Sequence, residues 1–98
     1  MNTNSFVTYD YVSFLKGLND YRSISEMTSN VAGKHYYVEL FEIQETEQSR
    51  QRWAVMESHE TKAVTVYLIN DPREVVSFYE TRRRYATHRL QVALERHM

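Results

Sequence analysis

The chain has 98 residues, 12 basic and 13 acidic side chains, and no cysteine. This length predicts one domain, and the missing thiols exclude disulfides, thiolate metal sites and cysteine nucleophiles. Thirteen aromatic residues within a 42% hydrophobic composition supply a core, although a domain this small buries a modest share of its surface and gains from oligomerisation. No apolar run approaches the roughly 20 residues of a membrane span. The start, MNTNSFVTYDY, lacks the basic and apolar regions of a signal peptide, so the expectation is a soluble cytoplasmic protein without membrane contact.

Charge is divided unevenly. Residues 1–72 hold ten acids and six bases, and residues 73–98 hold six arginines and three glutamates. Such a split marks either a charged partner or an acidic part of the fold lying against a basic helix.

Residues 1–8 read as a flexible start or a short edge strand. From Tyr9 onward, Tyr11, Phe14, Leu15 and Leu18 recur at i, i+3, i+4 and i+7, which is one helix face. SISE (23–26) has the capping-box pattern, with Ser23 and Glu26 reciprocally bonded, and Ile24, Met27 and Val31 follow as a second helical stripe. Gly33 is placed to end that helix in a left-handed conformation. HYYVELFEI (35–43) reads as a strand with two apolar faces, QETEQSRQ as a polar connection, RWAVMES (52–58) as a second strand and AVTVYLI (63–69) as a third. Short polar connections make these an antiparallel meander. Asp71 as N-cap and Pro72 in the first turn then open a helix that meets no further glycine or proline. At about 25 residues it would span roughly 38 Å. The expected fold is therefore α+β: two short N-terminal helices, a three-stranded antiparallel sheet and a long C-terminal helix packed on it.

On a helical wheel, Val75, Val76, Tyr79, Ala86, Leu90, Ala93 and Leu94 fall in an arc of roughly 100°, the stripe expected to cover the sheet. Arg83 falls inside that arc. It is expected to snorkel, to pair with a carboxylate that interrupts a sheet face, such as Glu39 or Glu57, or to meet another subunit. Beside the arc runs a mixed row of Phe78, Arg82, Tyr85, Arg89, Val92 and Arg96. Arginine and aromatic residues are enriched in protein contacts, since both join large area to directed polar atoms. The row could equally be a flank in which arginine stacks on tyrosine. The partner-binding residues read from the sequence are Phe78, Arg82, Tyr85, Arg89 and Arg96, with Tyr36, Tyr37 and Trp53 as sheet-face contacts.

Nothing in the chain has the spacing of a catalytic or metal motif. His35, His59, His88 and His97 form no ligand pair on one helix face, and no nucleophile elbow, P-loop or dinucleotide fingerprint occurs. The reading is a non-enzymatic protein-binding module without cofactor, metal or catalytic residues, and with homodimerisation through the long helix or a sheet edge. Its composition fits a phage or mobile-element inhibitor of a host protein. The alternative is a nucleic-acid-binding module using the same row. A sequence pI of 6.4 and only three lysines weigh against that alternative. A small enzyme without recognisable motif comes third.

Overall fold

A computed structural model describes residues 3–97. Five antiparallel strands form one sheet: β1 (Thr3–Thr8), β2 (Asp20–Val31), β3 (Lys34–Gln44), β4 (Arg52–His59) and β5 (Val64–Ile69). Their order is β1-β5-β4-β3-β2. A short helix, α1 (Tyr11–Lys16), and a long one, α2 (Pro72–Arg96), complete the architecture. The α+β class, the β3–β4–β5 meander and the unbroken C-terminal helix are as expected. Two N-terminal helices and a three-stranded sheet are not what forms.

The second expected helix is β2. Ser23 does not cap a helix; its hydroxyl donates across the sheet to Glu39. The pairing of β2 with β3 slips between Ser23 and Ser25, so Ile24 is a bulge and the strand changes face there. That change places Ile24 and Met27 three apart and imitates a helical stripe, while Ser25, Met27, Ser29 and Val31 alternate as the half-buried side of an edge strand. Gly33 does have a positive φ, 80°, and Ala32 before it has φ 52°. They are the two central residues of the β2–β3 hairpin, between paired Val31 and Lys34, where a two-residue turn of type I′ needs positive φ twice.

The first helix is one and a half turns. The Asp10 carboxylate accepts from the Ser13 amide and caps it. Its face is the expected one: Leu15 is buried, and Tyr11, Phe14 and Leu18 pack beside it on Tyr37, Phe41, Ile43, Ala54, Met56, Val64 and Val66. The opposite side of the sheet presents Val38, Leu40, Val55 and Ile69 to Val75, Tyr79 and Ala86 of α2. The central strands β3 and β4 are therefore covered on both faces, which is why they read as nearly continuous apolar runs.

Asp71 caps α2 by accepting from the Arg73 amide, and Pro72 opens the first turn. The helix is turned relative to the expected stripe. Val75, Tyr79, Ala86 and Ala93 are buried, but Val76 is 62% and Leu94 46% exposed. At 100° per residue, the buried centre lies about 40° away from the middle of the apolar arc, toward Arg82 and Arg89.

Replacing Ala32 with asparagine, which tolerates positive φ, should raise stability by about 0.5–1 kcal/mol. A higher urea midpoint with an unchanged slope is the expected measurement.

Candidate functional site

The arginine and aromatic row of α2 is the seam between helix and sheet. Its partners come from the α2-facing side of β4 and β5 and from the turn between them. Glu57 is the centre. It stands on β4 beside Val55, is 4% exposed, and accepts from four groups. Arg82 Nε donates to Oε2 at 2.9 Å and an Arg82 terminal nitrogen lies 2.7 Å from Oε1, a two-pronged ion pair. The Tyr67 hydroxyl donates to Oε1 at 2.6 Å, and His59 Nε2 lies 3.1 Å from Oε2. An ionised carboxylate can only accept, so Nε2 is the protonated nitrogen in that contact. The other ring nitrogen of His59 is buried without a hydrogen-bond partner among the described residues.

Burial alone would favour the neutral acid. The bonds from His59, Arg82 and Tyr67, together with the Arg82 charge, outweigh it and push the Glu57 carboxyl down to about 2. Burial and the bond to Glu57 push the Tyr67 phenol up to about 12. Arg82 also sits over two rings, 5.6 Å from the centroid of Tyr67 and 5.0 Å from that of Tyr85.

Every expected row residue up to Arg89 has such an internal partner. Phe78 meets Tyr67 edge-on at 5.1 Å, and Tyr85 meets His59 at 5.2 Å. Arg89 donates to the Tyr85 hydroxyl and to Glu60, both at 3.2 Å. Arg96 is exposed at the last turn of α2. The three consecutive arginines diverge: Arg82 enters the seam, while Arg83 and Arg84 are exposed. The carboxylate that Arg83 was expected to meet is taken by Arg82. Glu39, the other candidate acid, lies on the opposite face and accepts from Tyr37 and Ser23.

The expected sheet-face contacts need correction. Tyr36 is fully buried and Tyr37 nearly so. The Tyr36 hydroxyl donates to Glu60 at 3.1 Å, and Tyr37 packs under α1. Trp53 is half-buried against the α2-side core. The seam resembles an acid–base constellation in composition, and its carboxylate is fully engaged. A carboxylate has about four acceptor positions, and the four donors at Glu57 occupy them. The residues that sequence reasoning missed as partners of the row are His59, Glu60 and Tyr67. Glu57 carried a signal, as a lone acid in an apolar strand. His59 and Glu60, in a polar turn, carried none.

The second feature is an unpaired edge. Among the described residues the main chain of β2 pairs only with β3, and its outer side is unpaired along twelve residues, about 40 Å. It contains no lysine or proline; Asp20, Arg22, Glu26 and the bulge at Ile24 guard its first half, and Ile24 is 48% exposed. Beside it runs the side of α2 that carries Thr87, whose hydroxyl contacts Met27 Sδ at 3.5 Å. Val76, Arg83 and Leu94 are on that same side, within about 20° of Thr87 or of one another on the wheel. No helix is long and apolar enough to cross a membrane among the described residues.

No family model, curated protein or solved structure matches this chain.

Because the Glu57 carboxyl is depressed from 4.5 to about 2, its contribution is complete above pH 4.5 and is lost as pH falls through that window toward 2, a difference of about 3 kcal/mol. Glu57→Gln should lower stability at pH 7 by about 3 kcal/mol, since it leaves the Arg82 charge unpaired in the seam. It should also flatten the acid limb of a stability-against-pH series measured by urea unfolding. An unchanged acid limb would remove Glu57 as its cause.

Proposed function

We propose that the chain is a non-enzymatic protein-binding module that pairs with a second copy of itself through the β2 edge. The observation that carries this reading is the open β2 edge, flanked by the side of α2 that carries Thr87 and the exposed Val76 and Leu94. An added strand satisfies the outward main-chain groups, and apolar side chains beside it gain burial.

The sequence of β2 suits self-pairing. Around a two-fold axis at Thr28, normal to the sheet, Glu26 stands opposite Asn30, Met27 opposite Ser29 and Ser25 opposite Val31. No like charges meet, and each pair lies on one face, as antiparallel pairing requires. The joined sheet would carry both α2 helices on the same face, with Val76 and Leu94 of each turned toward the joint. Inhibition of a host protein, the role suggested by composition, would then belong to the dimer.

The runner-up, nucleic-acid binding, is favoured by the outward Arg83 and Arg84, which form no ion pair with an acid among the described residues. It draws less on the row than the sequence implied, because Arg82 and Arg89 already hold Glu57 and Glu60.

Sedimentation velocity at micromolar concentration should show twice the 11.8 kDa monomer mass. Placing lysine at both Ile24 and Thr28 should weaken the dimer by at least about tenfold while leaving the monomer folded, because charge on an edge blocks strand addition. A monomer at every concentration would end the proposal. Oligonucleotide affinity that falls steeply with salt and disappears when Arg83 and Arg84 become alanine would put the runner-up first.

A further inference from the structure

A cavity of about 330 Å³ opens between the last turns of α2 and the end of the β2–β3 hairpin. Its charged lining consists of Lys34, Glu60, Arg89 and Arg96, and Tyr36, His88 and His97 also line it. Glu60 is the single acid there, and its carboxylate is already shared. Arg89 approaches it to 3.2 Å, Lys34 to 3.6 Å, and the Tyr36 hydroxyl donates to it at 3.1 Å. These bonds from Arg89 and Tyr36 hold the Glu60 carboxyl below its ordinary range.

Three fixed cations therefore face one anion. The carbonyl end of α2 adds about half a negative charge, which leaves a positive surplus of more than one unit. Arg96 pairs with no acid among the described residues, so its planar fork of donors is available to an oxyanion. Val31, Val92 and Ala93 supply the apolar part of the wall. The volume is at the small end of the range for ligand pockets.

From this surplus charge, the Arg96 guanidinium and the apolar wall we infer a binding site for a small phosphate monoester. The phosphate lies between Arg96, Arg89 and Lys34, and the organic group lies against Val31 and Val92. The site shares Val31 with the β2 joint, but the cations assigned to the phosphate, Lys34, Arg89 and Arg96, are not among the residues paired there.

The test is a titration with inorganic phosphate and, separately, a nucleoside 5′-monophosphate, at constant ionic strength, followed through the imidazole signals of His88 and His97. Binding with a dissociation constant on the order of 1 mM or tighter is expected, with the ester at least as tight as the free ion. Arg96→Ala should weaken it by about tenfold, the worth of one charged hydrogen-bonding group. Arg84→Ala removes the same charge from the outward side of α2 and should change nothing. The proposal is overturned by an absence of saturable shifts up to about 10 mM ligand, or by equal losses in the two variants, which would mean unspecific attraction. Exclusion of the ester while free phosphate binds would overturn the assignment to a monoester.

Discussion

Glu57 stands on the α2-facing side of β4, beside Val38 and Val55, and a carboxylate in that setting must be neutralised or satisfied. The chain satisfies it. Arg82 grips both oxygens, Tyr67 and His59 take the remaining acceptor positions, and the carboxyl stays ionised. Paired in this way, a buried charge adds little beyond what apolar packing would, but it is costly to break and it admits one geometry. Here the geometry chosen is the rotation of α2. An apolar stripe alone would have turned Val76 and Leu94 inward. The ion pair instead brings Arg82 and Arg89 to the sheet and leaves those two apolar residues outside.

That rotation has consequences for both surfaces discussed above. On one side it closes the mixed row into a stack, Phe78 on Tyr67, Arg82 between Tyr67 and Tyr85, and Tyr85 on His59. Phe78, Arg82, Tyr85 and Arg89 each meet a partner within the protein, while Tyr85 stays 42% exposed. On the other side it exposes an apolar strip next to the one long strand whose edge is unpaired. The apolar side chains left outside lie on the β2 side of α2, and Arg96 is exposed at its last turn.

The division of the sequence into acidic and basic parts finds its physical sense in the same seam. Glu57 and Glu60, from the β4 end and the turn after it, neutralise Arg82 and Arg89 of the basic helix. Arg83, Arg84 and Arg96 remain as outward charge. A single basic patch does not form, because residues one apart on a helix point about 100° away from each other.

Local rules were enough for several elements. The two-faced apolar runs of β3 and β4, the Asp71–Pro72 start of α2, its unbroken length and the Tyr11–Leu18 face of α1 all follow from short-range periodicity and capping chemistry, which are properties of the residues in order. The same rules misassigned β2. Its bulge at Ile24 breaks the alternation, and its serines are stable in a strand only because α2 and Glu39 lie against them. They offered a short edge strand at the start of the chain, which β1 is, but not its pairing with β5, whose signal depends on residues more than fifty positions away. The buried places of Tyr36 and Tyr37, and the choice of Arg82 over Arg83 as the partner of Glu57, were likewise decided only in the folded state. Sequence determines which residues can form a helix or strand and which acid needs a cation; the packing of α2 across the sheet decides which cation arrives, because a rotation of about 40° exchanges neighbours on the wheel at no cost to the helix's own hydrogen bonds.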